Sequence, residues 1–471
     1  MSDRRAKTYR PWNPHSYRQQ AHSPDSKLPE GHRVFFLLDV VPQLDLTRFY
    51  APYEAEARGA PPFDPALMVC LLLYAYCVGV YSSRKIARAC ERNLAFLAIV
   101  GDDRPDFRTL SDFRKLHLPA FADVFTAVLR LAKEAGLVQV GTLTTDGTKM
   151  PGNASRHKAM SYGYMTKEVE RLRAEIEALL RQTQDEDAAE DAVLGSRRGD
   201  ELPAELQRRE QRLATILAAK QRLEEQARAE AEAARHQRQE AEAERQRAGQ
   251  KRRGRAPAPI DETPDATAQT SFTDPELKIM KANNKGWDYC GNAQVVVDDA
   301  CQIIVACDVT AASNDKEQAV PMARAALAEL ERAGVARPTN AAGQEVPLPN
   351  LTDSGYYSEQ AARELAALGL DPYLATERQR HQACSGTATA AAVPPPAKGA
   401  MAAKLRTAVG RALYALRKVL VEPVFGQIKG ARGFRRFLLR GLEKVRGEWR
   451  LVCLTHNLLK LWRYGCAPGA N

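Results

Sequence analysis

The sequence lacks the paired cysteines of a zinc module. Its nine cysteines are odd in number and scattered, and no C-x-x-C pair occurs. We expect reduced thiols in a cytosolic protein. The first residues lack the apolar core of a signal peptide. Long apolar runs are also scarce: the uncharged segment 65–83 alone is long enough to suggest a membrane span. Gly79 and Ser82 interrupt it and an amphipathic basic helix follows, so a buried helix is the preferred interpretation.

Negative charge is scarce at the C-terminal end of the chain. Residues 401–471 contain 15 Lys/Arg and 3 Asp/Glu, whereas the whole chain has a net charge of +10. Positive charge concentrated at one end indicates a surface for a polyanion, most often nucleic acid. A solvated basic tail is the alternative. Apolar and aromatic residues interleave these charges, which favours the nucleic-acid interpretation.

Changes in residue pattern divide the chain into helical and mixed segments. Apolar periodicity predicts several helices over 33–136, and a short turn before a basic helix is compatible with a helix-turn-helix DNA reader or with an ordinary bundle. Leucine and isoleucine at heptad-like spacing predict an antiparallel coiled-coil arm. The predicted segments are a flexible N-terminus (1–32), a helical DNA-binding domain (33–136), the first part of a catalytic domain (137–165), the arm (166–255), a linker (256–270), and the remainder of the catalytic domain (271–465) with a low-complexity loop (384–399).

Three acids occupy informative places in the predicted order of elements. Without the arm, that order is strand, hairpin, helix, strand, helix, strand, helices, which is typical of a ribonuclease H-like domain with a mixed five-stranded α/β sheet. Asp146 ends the first strand, Asp353 ends the fourth, and Glu422 lies in the helical segment after the last. Carboxylates that converge in this way suit hard cations such as Mg²⁺. Two such ions promote phosphoryl transfer.

Other acids in the chain have simpler interpretations. Asp315 is the main rival for the second acid, but Ser313 and Asn314 beside it favour a helix-capping role. Asp298 and Asp299 are interpreted as turn residues of the hairpin. Pro423 suits the first turn of a helix, so we expect Glu422 at a helix start or kink.

Four stretches carry a resemblance to a known family. These are "TTDGTKMPGNASRHKAMSYGYM", "DPELKIMKANNKGWDYCGNAQVVVD", "LTDSGYYSE" and "YALRKVLVEPVFGQIKGARGFRRFLLRG". The chain resembles the bacterial insertion-sequence DDE transposases, whose motifs place the catalytic and metal-binding acids at Asp146, Asp353 and Glu422. The resemblance implies two Mg²⁺ ions, with Mn²⁺ as the alternative. It also implies binding of terminal inverted repeats and target DNA, a homodimer in the synaptic complex, and a cytoplasmic, nucleoid-associated location without a membrane.

The family's last motif is written Tyr-(2)-Arg-(3)-Glu-(6)-Lys. Tyr414, Glu422 and Lys429 fit it, but four residues separate Arg417 from Glu422, so either Arg417 or Lys418 fills the basic position. On one unbroken helix, Lys418 and Glu422 share a face. The predicted DNA-contacting residues are Lys149, Arg156, Lys158, Tyr414, Arg417, Lys418, Lys429, Arg432, Arg435, Arg436 and Arg440.

Two other functions remain open at the level of sequence. One is a related metal-dependent nuclease that cuts DNA without strand transfer. The other is a DNA-binding protein whose catalysis has decayed, which the presence of all three acids disfavours.

Overall fold

The structure is a computed structural model of the 471-residue chain. It describes residues 10–13, 24–54, 60–155, 158–194, 204–247, 249, 258–282, 286–377 and 396–465. Contacts between residues divide the chain into two compact units. The larger unit comprises Met1–Asn153 and Met280–Asn471, and the smaller unit comprises Ala154–Ile279.

The N-terminal part of the larger unit is helical, as predicted. Every residue of the uncharged helix Pro65–Cys77 is buried, which explains why its apolar residues show no amphipathic pattern. No helix in the described ranges combines the length and apolar character that a membrane crossing needs. The helices of this region are α1 (Arg33–Val40), α2 (Thr47–Glu54), α3 (Pro65–Cys77), α4 (Ser83–Arg92), α5 (Leu94–Val100), α6 (Phe107–His117) and α7 (Phe121–Glu134).

A mixed β-sheet forms the centre of the larger unit. The strands of the chain are β1 (Leu143–Pro151), β2 (Ala159–Ser161), β3 (Gln269–Ser271), β4 (Lys278–Lys281), β5 (Trp287–Asp298), β6 (Ile304–Thr310), β7 (Leu348–Thr352) and β8 (Leu370–Leu374). The large sheet has the order β4-β5-β1-β7-β8, and β6 also pairs with β5. It therefore has six strands, one more than predicted, because β4 adds to it.

Strand directions in this sheet change at β1. The strand pairs β1–β5 and β5–β6 are antiparallel, whereas β1–β7 and β7–β8 are parallel. The connections to the parallel strands β7 and β8 include helices, as parallel strands require. The remaining helices of this unit are α10 (Ala319–Arg332), α11 (Glu359–Ala367), α12 (Pro396–Arg406), α13 (Ala408–Gly426) and α14 (Leu442–Gly465).

Helix α14 joins the helical region to the sheet. Its Trp449 is fully buried and donates a hydrogen bond from Nε1 to the carbonyl oxygen of Gln294 at 3.0 Å. Asn457 of the same helix bonds the backbone of Ile304 in both directions. Helix α14 packs against α3, α7 and β6. The predicted helical domain and the sheet thus share one hydrophobic core.

The smaller unit is built around two long helices, α8 (Tyr162–Leu194) and α9 (Ala204–Arg247). Glu168 pairs with Arg212 and Glu175 pairs with Arg209, so the helices run antiparallel. Strands β2 and β3 form a short antiparallel pair in this unit. A small apolar core holds the helices together, formed by Met165, Val169, Leu172, Ile216, Ala219 and Leu223.

Candidate active site

The two predicted aspartates come together on neighbouring parallel strands, but β1 continues to Pro151, so the prediction that Asp146 ends the first strand is wrong. Asp146 lies within β1, and Asp353 directly follows β7. Thr144 pairs with Leu351 in the parallel register. Continuing this register by two residues places Asp146 beside Asp353. Adjacent strands lie about 4.8 Å apart and residues in register point to the same face, so the two carboxylates face the same space.

The Asp146 carboxylate is largely buried and paired with a cation. Its Oδ2 lies 3.1 Å from Nη1 of Arg417, and its Oδ1 accepts the backbone N–H of Gly147 at 2.8 Å. Burial raises the pKa of Asp146 to about 6, the nearby charge of Arg417 opposes this rise, and the charges of Asp353 and Asp315 add to it. Desolvation outweighs the ion pair because a buried carboxylate loses its hydration.

Arg417, and not Lys418, is the basic residue that reaches the aspartates. Its side chain is only 12% exposed, and its guanidinium lies 5.9 Å from the centre of the Tyr414 ring. Burial raises the pKa of Tyr414, and the charge of Arg417 opposes that rise. Lys418 is exposed. The structure thus favours Arg417 for the basic position that the sequence left open.

Glu422 does not join the aspartates in this structure. It is exposed and makes no hydrogen bond or ion pair with any described residue. Helix α13 runs from Ala408 to Gly426 with Pro423 inside it, so Glu422 does not lie at a helix start, one of the two predicted positions. At 3.6 residues per turn, Glu422 lies about 140° around the helix from Arg417. The face that presents Arg417 to Asp146 therefore turns Glu422 elsewhere.

Asp315 lies in the site, although sequence reasoning assigned it to helix capping. Helix α10 begins at Ala319 with Gln318 as its N-cap, so Asp315 does not cap it. Its Oδ1 instead accepts hydrogen bonds from Nδ2 of Asn292 at 2.7 Å and Nε2 of Gln294 at 2.8 Å. The signal in the sequence was the pair of carboxamides on the apolar strand β5, because buried amides need polar partners.

Lys429 adds a second cation near Asp146. It lies in a π-helical turn, Gln427–Ala431, that continues α13, and it donates to the hydroxyl of Thr148, two residues after Asp146 on the same strand. Burial lowers the pKa of Lys429 to about 8, and the negative charge of Asp146 opposes the shift. Lys429 therefore brings a second positively charged group close enough to Asp146 for their charges to interact.

Arg432, which the sequence predicts as a DNA contact, has a structural role. It is buried, and its guanidinium donates to the carbonyl oxygens of Tyr76 and Val452 and to the hydroxyl of Thr455. These bonds tie the segment after α13 to α3 and α14. Because these bonds hold the guanidinium within the core, Arg432 is a weaker candidate for a phosphate contact than the exposed arginines.

The other predicted basic residues lie at the surface. Arg435 and Arg440 are exposed and donate to the carbonyl oxygens of Lys429 and Asn153, and exposed Arg436 lies 3.5 Å from Asp288. Lys149 is half-buried on β1. Lys158 is exposed in the smaller unit, and Arg156 lies outside the described residues.

The donor chemistry of the site fits a hard divalent cation. Asp146 and Asp353 supply carboxylate oxygens, the ligands that Mg²⁺ prefers, and Mg²⁺ usually keeps several water ligands. Within the part of the chain that the structure describes, no group of three or more His, Cys, Asp or Glu side chains is placed to hold a metal ion. Two carboxylates plus water are therefore the donors that this arrangement offers.

Comparison with protein-family models gives two matches. A transposase domain (DUF772) matches residues 22–116, and a transposase DDE domain matches residues 386–462. The first match covers most of the helical region and the second includes Arg417, Glu422 and Lys429, but neither reaches Asp146, Asp315 or Asp353. Searches of curated proteins and of solved structures find no match.

The two family matches support an insertion-sequence DDE transposase. Transposases act on DNA, and the DDE domain suggests a DNA-cleaving enzyme. Members of the family generally use divalent metals.

Proposed function

We propose that the protein binds the terminal inverted repeats of an insertion sequence and catalyses metal-dependent strand cleavage, followed by transfer of the freed 3′-hydroxyl to target DNA. The observation that carries this proposal is the parallel register of β1 and β7, which aligns Asp146 with Asp353. The enzyme would act on DNA in the cytoplasm.

The arrangement of strands supports a ribonuclease H-like catalytic domain. The sequence predicts a mixed five-stranded sheet formed by a first strand, a hairpin of two strands, and two later strands that each follow a helix. The order β6-β5-β1-β7-β8 with its observed directions has this arrangement. In such a sheet, the ends of the central parallel strands are the place where acids from distant parts of the sequence meet.

Five charged residues have a role in this proposal. Asp146 and Asp353 would hold divalent cations, and Glu422 is the third carboxylate that the family resemblance predicts. When bound, two such ions activate the attacking oxygen and stabilise the leaving one. Arg417 neutralises part of the charge of Asp146, and Lys429 holds a DNA phosphate beside Thr148. The attacking groups are water and then a 3′-hydroxyl, so no Ser or Tyr nucleophile is required.

The experiment that tests this function is cleavage of labelled repeat-end DNA with Mg²⁺. Asp146→Asn and Asp353→Asn should lower the cleavage rate by at least about a hundredfold, because each removes a charged metal ligand. Glu422→Gln should behave like them if Glu422 is the third ligand. The matched control is Asp123→Asn, which removes an exposed carboxylate of α7 that is paired with Arg48 of α2. This variant should cut like wild type.

Strand transfer is measured in the same reaction by joining of labelled ends to a plasmid. Joined products would support a transposase, whereas cleavage without joining would indicate a nuclease. Wild-type rates in both aspartate variants would contradict the assignment of the site.

The smaller unit is proposed to assemble two copies in the synaptic complex. The support is its pair of long antiparallel helices, which place heptad-like apolar residues in one small core. Light scattering of the protein with paired end DNA should give the mass of a dimer, and a monomer would contradict the proposal.

A further inference from the structure

Asp315 is held in place by two side-chain amides of the central sheet. Asn292 and Gln294 lie on β5, opposite Lys149 and Gly147 of β1. Both amides donate to the same oxygen, Oδ1 of Asp315. Asn292 and Gln294 are essentially inaccessible to solvent, at 1% and 0% exposure. The strand that pairs with the Asp146 strand therefore determines the position of the Asp315 carboxylate.

The same network reaches the loop that carries Asp353. The hydroxyl of Tyr356, three residues after Asp353, donates to Oε1 of Gln294. Tyr356 is fully buried, and the backbone oxygen of Gln294 accepts the indole N–H of Trp449. Gln294 thus uses both ends of its carboxamide, one for Asp315 and one for the Asp353 loop. This arrangement fixes the two acids relative to each other.

Two glycines show how closely these groups approach. A Cβ on Gly355 would lie 3.0 Å from Oδ1 of Asp353 and 3.6 Å from Oδ2 of Asp315. A Cβ on Gly147 would lie 2.2 Å from Nε2 of Gln294 and 3.0 Å from Oδ1 of Asp315. The absence of side chains at these positions leaves room for the Asp315 carboxylate beside both aspartates of the site.

The two oxygens of Asp315 differ in their contacts with the described residues. While Oδ1 accepts both amides, none of the described residues donates a hydrogen bond to Oδ2 or forms an ion pair with it. A purely structural aspartate would not need this second oxygen or the negative charge. A neutral acceptor at Oδ1 would satisfy the same two amides.

We propose that Asp315 is a positioning residue of the active site, whose free oxygen holds a water ligand of the divalent cation bound by Asp146 and Asp353. This inference rests on the proposed function. A role through water follows from two observations: Asp315 lies beside both aspartates, and among the described residues no three acids are placed to hold one ion directly. Mg²⁺ keeps several waters, and outer-shell partners change metal affinity or activity by about 10–100-fold.

The test is Mn²⁺ binding by the full-length protein without DNA, measured from the electron paramagnetic resonance signal of free Mn²⁺. Asp315→Asn removes the charge but keeps an acceptor oxygen for Asn292 and Gln294, so the fold should be retained. We expect its Mn²⁺ dissociation constant to rise about tenfold or more. Glu317→Gln is the matched control, because it removes an exposed carboxylate two residues away, and it should change the constant by less than about twofold.

Asp146→Asn separates failure of this inference from failure of the proposed function. If Asp146→Asn weakens Mn²⁺ binding while Asp315→Asn binds like wild type, the role of Asp315 is overturned and the proposed function stands. If neither variant changes Mn²⁺ binding, the role of Asp315 and the proposed function are both overturned. Thermal unfolding verifies that each variant is folded. Asp315→Ser, which also keeps a neutral acceptor, replaces Asp315→Asn if that variant unfolds early.

Discussion

At the residue scale, we expect substitutions of the neighbouring residues Arg417 and Lys418 to have very different effects on DNA cleavage. Arg417→Ala would leave the buried carboxylate of Asp146 without its partner, whereas Lys418 is exposed. We therefore expect Arg417→Ala to lower repeat-end cleavage by about 10–100-fold. Lys418→Ala should lower it by less than about threefold, the effect of one surface phosphate contact. The measurement is the initial cleavage rate, with Lys418→Ala as the matched control. A larger loss of cleavage rate in Lys418→Ala than in Arg417→Ala would indicate that Lys418 fills the basic position of the motif.

Asp298 gives a prediction about the pH dependence of stability. It was interpreted as a turn residue, but it is fully buried and accepts the backbone N–H groups of Gln139, Val140 and Ala300. Burial raises the pKa of Asp298 to about 6, and the charge of Asp299 adds to the rise. In the unfolded chain an aspartate has a pKa of about 3.9.

The pKa of Asp298 is higher in the folded protein than in the unfolded chain, so protonation of this carboxyl group stabilises the fold. This stabilisation is fully present below about pH 4 and is lost as pH rises to about 6. The loss amounts to at most about 3 kcal/mol of the free energy of unfolding. Urea unfolding at pH 4.5 and 7 should show this loss in wild type and a smaller one in Asp298→Asn. Other titrating groups, including Asp146, are present in both proteins and cancel in the difference. Equal pH dependence in the two proteins would contradict the raised pKa.

Some residues of the site were predictable from sequence and others were not. The sequence predicts Asp146 and Asp353 together because each follows a β-branched, apolar stretch, and the structure places them on neighbouring parallel strands. The place of Asp315 in the site could not be predicted, because its partners Asn292 and Gln294 are far from it in sequence. Only the pairing of the strands shows that the side chains of these two amides are directed to Asp315. Arg432 looked like its exposed neighbours, since a run of arginines does not reveal which one bonds to the core.

At the scale of elements, α13 shows how helical phase decides which residues meet. The sequence allowed two interpretations, a helix that starts at Pro423 or an unbroken helix on which Lys418 and Glu422 share a face. The helix is unbroken, so Lys418 and Glu422 do share a face. A different face, which carries Arg417, is turned to the sheet. Which face meets the sheet depends on packing by Leu420, Val421 and Val424, and phase alone did not determine it.

The two helices of the smaller unit offer a stability prediction. Leu172 is 1% exposed in their core, and Leu180, two turns further along α8, is 39% exposed. Leu172→Ala should destabilise this helix pair by about 2–4 kcal/mol through lost burial and a cavity. Leu180→Ala is the matched control and should cost less than about 1 kcal/mol. Hydrogen–deuterium exchange over α8 and α9 measures the effect locally, and equal exchange in the two variants would contradict the packing.

At the scale of the whole molecule, the two compact units follow the predicted segments only in part. The smaller unit, Ala154–Ile279, contains the predicted arm and linker together with short flanking stretches. The helical region and the sheet were predicted as separate domains, but they form one unit with one core. Thr126 of α7 donates to Glu329 of α10, and Tyr81 donates to the carbonyl oxygen of Arg432. Such contacts link residues hundreds of positions apart, which local patterns cannot reveal.

Positive charge on the helical region provides the last prediction. Helix α4 exposes Arg84, Lys85, Arg88 and Arg92, with Glu91 as its one exposed acid. The guanidinium of Arg84 lies 5.1 Å from the centre of the exposed Phe107 ring, and that of Arg108 lies 5.7 Å from it. Cations beside an exposed aromatic ring are typical of nucleic-acid surfaces. If α4 contacts DNA, the double substitution Arg84→Ala/Arg88→Ala removes two phosphate contacts.

Each lost phosphate contact should reduce the slope of log affinity against log salt concentration by about 0.9. The double variant should therefore bind repeat-end DNA with a slope about 1.8 units shallower than wild type. Fluorescence anisotropy at salt concentrations from about 50 to about 200 mM measures this slope. Arg48→Ala is the control, because Arg48 is exposed in the same region but already paired with Asp123 at 2.6 Å. An unchanged slope in the double variant would exclude α4 from the DNA interface while leaving the aspartate site untouched, because the two lie on different elements and are tested by different measurements.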